Sequence, residues 1–321
     1  MPASLSGFNA KHEASIMTEI ILHHYATSTF SERVRLAFGL KRLSWCSVII
    51  PSAMPKPDLL PLTGGYRRTP VMQIGADIYC DTPLILRKIE ALHPVPSLYP
   101  GGSQGLATVL AWWADKSIFP PALGVVAAMA GHEFPPDFVA ERKAFGFPLA
   151  PDDVRPVLYR HLQQGVAHLD WLAATLADGK PFLLGEAASA ADLAAYCPLW
   201  LLRNRVGPEA EAKLPLASFG AWCDRVSAIG HGVPKEMSAA AALAIAANTQ
   251  PDPPAIAAGA DPSSLRPGIE VIVTADDTGR DPVRGRLLAA NAQEMVIRCA
   301  HPQVGEVNIH FPRAGFDVVP A

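Results

Sequence analysis

EIILHHYATSTFSERVRLAFGL, residues 19–40, is the stretch on which the reading of the fold turns. Its apolar run Ile20-Ile21-Leu22 continues through His23-His24-Tyr25 to Ala26 and reads as a buried strand. The polar turn Thr27-Ser28-Thr29 follows. Then comes a helix whose Phe30, Val34, Ala37 and Phe38 share one face, with Glu32, Arg33 and Arg35 mostly off it. Thr29 and Glu32 have the spacing of a capping box. Cys46 to Ile50 is a second apolar run, and residues 51–69, rich in Pro and Gly, form a long irregular connection. Val71–Ile74 and Ile78–Cys80 read as short strands around the hairpin Gly75-Ala76-Asp77. Thr82 before Pro83 reads as the N-cap and first residue of another helix. Leu84, Ile85, Ile89 and Leu92 give that helix a buried face, and His93-Pro94 ends it.

The chain has 321 residues, enough for two or three domains. Half of them are hydrophobic and 18% charged, which allows a large core and excludes global disorder. A formal net charge of −3 gives no general attraction for nucleic acid or for an anionic membrane. No apolar run reaches the roughly 18–20 residues that cross a bilayer. Residues 1–18 carry no apolar signal-peptide core and are expected to be a disordered leader. The five cysteines are scattered and contain no Cys-x-x-Cys, so neither a zinc site nor a disulfide framework is indicated, and no metal is assigned. Reduced cytoplasm is the simplest setting.

Beyond a linker-like Pro96–Gly102 the pattern turns helical. Leu158, Leu162, Leu169, Leu172 and Leu176 recur at helical intervals, and Ser189-x-x-Asp192 has the form of a capping box. The Pro- and aromatic-rich span from Gly131 to Pro151 is expected to be a loop over a cleft, and an Ala-rich helix closes the helical part near Asn248. Residues 249–267, with five prolines, read as a linker. Four alternating runs after it (Ile269–Thr274, Val283–Leu288, Glu294–Cys299, Val307–Phe311) suggest a small barrel or curled sheet, with Asp276-Asp277 and Gly279 supplying turn chemistry.

The order strand, hydroxyl-bearing turn, Arg33-Val34-Arg35 helix, Thr69-Pro70, hairpin and Asp81-Thr82 helix resembles the glutathione S-transferase family. Phe182-Leu183-Leu184-Gly185 and Ser189-Ala190-Ala191-Asp192 are similar to segments of the family's helical half. The resemblance covers about residues 19–248. It implies a thioredoxin-like α/β domain (19–95) and an all-α domain (103–248). With the linker (249–267) and the small all-β, barrel-like C-terminal module (268–321) read from composition and alternation, the chain is expected to be an α+β multidomain protein.

It also implies a site. Ser28 falls where serine-type members keep the hydroxyl that stabilises the thiolate of glutathione, and capping the helix is the other reading of the same residue. Tyr25 is the second candidate for that hydroxyl. Pro70 would be the family's cis-proline, turning the backbone of Thr69 toward the cysteinyl part of glutathione. Asp81 and Thr82 would hold the γ-glutamyl end, with an ordinary N-cap as the alternative. Arg67 or Arg68 would meet the glycyl carboxylate, or lie solvated on the surface, and Lys56 is a further candidate for that carboxylate. Trp112, Trp113 and Asp115 stand where the resemblance implies residues that line the cleft opposite glutathione or sit in the core, and for the tryptophan pair the core is expected. Ser28-Thr29-Phe30-Ser31 stands where thioredoxins carry two cysteines, so dithiol exchange is excluded at this turn. The activity implied is attack of glutathione, as co-substrate, on a small hydrophobic electrophile by a homodimeric transferase. A glutathione-dependent lyase or etherase, and a non-catalytic scaffold of the same fold, are the alternatives.

Overall fold

A computed structural model describes residues 19–254, 256 and 265–321. The leader 1–18 and residues 255 and 257–264 of the linker lie outside the described residues. The strands are β1 (Ile21–His24), β2 (Ser44–Ile49), β3 (Val71–Ile74), β4 (Asp77–Cys80), β5 (Val233–Glu236), β6 (Glu270–Ala275), β7 (Val283–Ala290), β8 (Glu294–His301), β9 (Gly305–Pro312) and β10 (Phe316–Pro320). The helices are α1 (Thr29–Leu40), α2 (Leu60–Thr63), α3 (Thr82–Leu92), α4 (Gln104–Trp113), α5 (Phe119–Ala130), α6 (Pro136–Ala144), α7 (Pro151–Val154), α8 (Leu158–Leu176), α9 (Ala190–Arg205), α10 (Pro208–Glu211), α11 (Gly220–Ser227) and α12 (Ala239–Ala247). A π-helical turn, Ala114–Ile118, joins α4 to α5.

β1 pairs in parallel with β2 and antiparallel with β3, which continues antiparallel to β4. Two-residue alternation sends neighbouring side chains to opposite faces. Leu22, Met72 and Tyr79 pack with α1, α3 and the helical half, whereas Ile21, Val71 and Ile78 pack with the underside. The helical half is centred on α9, whose capping box forms as its residues suggested: the Ser189 N–H donates to Asp192 at 2.9 Å.

The C-terminal strands do not stand apart. β9 pairs in parallel with β4, and β6–β10 extend the same sheet to ten strands in the order β10-β6-β7-β8-β9-β4-β3-β1-β2-β5. One apolar core runs beneath the seam, from Val48 and Ile78 to Val271, Ile297, Ile309 and Phe311. A polar knot ties the seam from the other side. The His310 ring lies 2.7 Å from a Glu294 oxygen and 3.0 Å from Asp77 Oδ1, and it stacks on Tyr79 at 4.3 Å between centroids. The first residues of the expected linker join this knot, since the Asp252 N–H donates to Asp77 and the Asp252 carbonyl accepts from Asn308.

Two local expectations are corrected, and one strand was not expected. The span from Gly131 to Pro151 is not all loop, because α6 forms within it. Pro136 suits the first position of a helix, where no backbone donor is needed. The expectation of core packing fails for Trp112, which is 38% exposed and faces the cavity, whereas the half-buried Trp113 packs against the core. β5, short and exposed, carries no apolar alternation and owes its strand form to pairing with β2. Among the described residues no helix is long and apolar enough to cross a membrane.

Candidate active site

The corner between β1 and α1 is built by hydrogen bonds from behind. The N-cap of α1 is Ser28, whose Oγ accepts from the Ser31 N–H at 3.2 Å. The capping box read at Thr29 and Glu32 does not form, because Glu32 is drawn elsewhere: Arg35 donates to it at 2.6 and 3.0 Å, and His231 Nε2 lies 2.9 Å away. Burial pushes the Glu32 carboxyl up, but His231 and Arg35 outweigh it and hold it below its ordinary range. Arg35 also donates to the carbonyl of Ala26 at 2.9 Å and so fixes the turn that carries Tyr25 and Ser28. Arg33, 2% exposed, pairs with Asp115 on the π-helical turn, Nη1 donating at 2.9 Å. One arginine thus sets the corner and the other docks α1 on the helical half.

The Thr69–Pro70 bond is cis. Behind it Lys56, 3% exposed, donates from Nζ to the carbonyl of Arg67 at 2.8 Å and to Thr69 Oγ1 at 3.0 Å. Burial, with Arg142 and Arg67 nearby and Glu141 opposing, pushes the ammonium of Lys56 down to about 8. Asp81, rather than Thr82, is the N-cap of α3, and it has φ +73°, in the region that side chains rarely adopt. Burial, helped by Asp115 and opposed by Arg68, Arg33 and the Thr82 N–H, raises its carboxyl to about 6.

Tyr25, Ser28, Lys56, Arg67, Arg68, Thr69, Pro70, Asp81 and Thr82 all line one cavity of about 720 Å3. Its opposite wall is apolar and aromatic: Phe119, Pro120 and Leu123 come from α5, and Phe134, Phe138 and Phe145 from the span around α6. Trp112 lines it too, with the ammonium of Lys116 4.9 Å from its ring. The two arginines are already engaged. Arg67 donates to Asp281 at 2.6 Å and to Glu141 at 3.2 Å, and its guanidinium lies 4.0 Å from the centre of the Phe145 ring. Arg68 donates to the Asp277 carboxylate and to the Thr278 carbonyl.

Asp277, Glu141 and Arg142 were not singled out from the sequence. The one local signal was the acidic turn Asp276-Asp277, which by itself says only where a chain reverses. Among the described residues no group of three or more His, Cys, Asp or Glu side chains is arranged to hold a metal ion.

Comparison with known proteins shows the family of the fold that carries this cavity. Profiles of the glutathione S-transferase N-terminal and C-terminal domains match residues 22–98 and 155–225. The crystal structure of a GST-like protein from Pseudomonas syringae is 38% identical, with a TM-score of 0.77, over 94% of this chain and 100% of that one. The chain belongs to the glutathione S-transferase family. As the high coverage requires, the likeness to this bacterial member takes in the C-terminal strands as well as the two family domains. A glutathione transferase from Phanerochaete chrysosporium shares the fold at 19% identity and a TM-score of 0.53, over 66% of this chain and 97% of that one. No curated protein sequence matches the chain.

Proposed function

We propose that this family member is a glutathione transferase of the serine type. The observation that carries the reading is convergence: Ser28 at the mouth of α1, the cis Thr69–Pro70 bond, the start of α3 and buried Lys56 face one cavity whose far wall is apolar.

Ser28 serves both readings made of it. Its Oγ accepts from the Ser31 N–H, which leaves its own proton free to donate to a sulfur. That donor, with the positive end of α1, favours thiolate over thiol, whose ordinary pKa is about 8.5. The thiol proton passes to solvent and the thiolate attacks an electrophilic carbon. It either displaces a leaving group, which departs with the bonding electron pair, or adds to an activated double bond, whose resulting carbanion takes a proton from solvent. Tyr25 lines the same wall and is the second hydroxyl. The peptide groups at Thr69 take the cysteinyl part. The N–H groups at the start of α3 take the γ-glutamyl carboxylate, and Asp81 its ammonium.

Lys56 serves the glycyl carboxylate better than Arg67 does. Among the described residues its ammonium is bound only to neutral acceptors, the Arg67 carbonyl and Thr69 Oγ1, whereas the two carboxylates of Asp281 and Glu141 already offset the charge of Arg67. The aromatic wall takes a small apolar electrophile. The assembly is a homodimer, checked by mass in solution.

Calorimetric titration with glutathione tests the reading first. An absence of heat and of any change in Tm leaves a non-catalytic protein of the same fold. With binding established, Ser28→Ala lowers turnover of a generic electrophile by about 100-fold, on the scale of losing one preorganised donor, while Tyr25→Phe changes it little. Equal rates in the wild type and in both variants would remove the hydroxyl mechanism.

A further inference from the structure

The loop between β6 and β7 comes from the C-terminal strands, yet it lines the same cavity as Ser28 and Asp81 through Asp277, Thr278 and Gly279. Asp277 is its hub. The Asp277 carboxylate accepts from Arg68, which adjoins Thr69, and at 2.8 Å from Lys116 Nζ on the π-helical turn. One side chain therefore links the C-terminal strands, the thioredoxin-like part and the helical half at the mouth of the cavity. The loop is not free to drift. Arg67 grips its far end through Asp281, and β6 and β7, from which it springs, pair with each other within the sheet that β9 joins to β4.

Stability alone does not account for this hub. Asp277 and Lys116 are about two-fifths exposed, and ion pairs of that kind add roughly 0–1 kcal/mol. Their position has chemical consequences instead. Arg68, Lys116 and Asp277 line the same cavity as Asp81 and Thr82 at the start of α3, and Arg68 opposes the rise of the Asp81 carboxyl. Both cations keep donors beyond those given to Asp277, since a lysine carries three N–H groups and an arginine five. Two cations held side by side, with α3 offering N–H groups and Asp81 a negative charge, make a site for an α-amino acid head. The α-carboxylate meets the cations and helix start, and the α-ammonium meets the carboxylates.

We propose that Asp277 is a positioning residue for substrate: it holds Arg68 and Lys116 where they receive the γ-glutamyl α-carboxylate of glutathione, so the C-terminal strands complete the binding site within the same chain. This assignment rests on the proposed function.

The test compares the full-length wild type with Asp277→Asn and Asp277→Glu. Kd is measured for glutathione and for γ-aminobutyryl-cysteinyl-glycine, which lacks only the α-carboxylate. KM for each substrate and Tm are measured alongside. Asp277→Asn should weaken glutathione about tenfold, the scale of one charge-assisted hydrogen bond, with the KM for the electrophile and the Tm unchanged. Asp277→Glu should recover most of the loss, and the decarboxylated analogue should bind wild type and Asp277→Asn alike. Equal glutathione affinity in wild type and Asp277→Asn overturns the assignment. So does an equal loss for both ligands, or a fall in Tm that Asp277→Glu does not rescue, either of which makes Asp277 merely structural. A wild type that binds no glutathione overturns the proposed function, and this assignment with it.

Discussion

His310→Leu is the substitution that probes the seam between the two parts of the sheet. The imidazole is 7% exposed and stands between Glu294 and Asp77, whose side chains are 12% and 10% exposed. Burial pushes the His310 pKa down, but hydrogen bonds and attraction from Asp77 and Glu294 outweigh burial and raise it. Burial likewise pushes Asp77 up, while His310, the Asp252 N–H and Asn308 bring it below its ordinary value. Both directions describe a charged bridge, imidazolium between two carboxylates. Leucine keeps the apolar volume against Tyr79 but strands two buried carboxylates, and breaking a buried pair in this way costs about 3–5 kcal/mol. For a chain well above 150 residues that is a fall in Tm of roughly 6–10 °C.

The sign with pH follows from linkage. A histidine whose folded pKa is raised stabilises fully below its unfolded value of about 6.5 and loses that contribution as pH rises through the folded value. Asp77, with a depressed folded pKa, stabilises above about 3.9 and loses its share as pH falls through the folded value. The gap between wild type and His310→Leu is therefore widest near about pH 6 and narrows toward about pH 9. Melting followed by circular dichroism at the two pH values measures it. A gap below about 1 kcal/mol at the lower pH, or the same gap at both, means that the ring only fills space and refutes the charged bridge.

Lys56 is pushed down to about 8, so its charge fades as pH rises through that value. Glutathione affinity of the wild type should fall across that window. Lys56→Met should bind weakly below it and show no step, as read by calorimetry. Asp115→Ala strands the buried Arg33 guanidinium and should cost about 3–5 kcal/mol in urea denaturation. Asp115→Asn, which keeps an acceptor, should cost less. Ser28→Ala also removes a helix cap and should lower stability by about 1 kcal/mol. Ser28→Thr restores the cap, so the two effects of the alanine can be told apart by melting.

Segments whose structure follows from near neighbours were legible before any coordinates. The alternation of Ile21 and Leu22, or of Val71 and Met72, assigns one residue of each pair to each face of the sheet. Ser189 and Asp192 write a capping box in four residues, and the positions of Ser28, Thr69-Pro70 and Asp81-Thr82 could be named from their order. The errors fell where a local rule had two outcomes. Pro135-Pro136 reads equally as a break or as a helix start, and an apolar helix such as α4 reads as core although it lies at the rim of a cavity.

By itself, then, the amino-acid order determined the secondary elements of the first half, the turn bearing Ser28, and the presence of β-forming runs at the C-terminus. Only the tertiary structure decided that those runs continue the first sheet, through the pairing of Asp77 with Asn308 and of Tyr79 with His310. It alone decided that Arg67 and Arg68 face Asp281 and Asp277, more than 200 residues away. Hydrophobic period and capping act over a few residues and leave their mark locally. An edge strand's choice of partner and an ion pair across two segments depend on which surfaces the chain brings together, and no short stretch carries a trace of that.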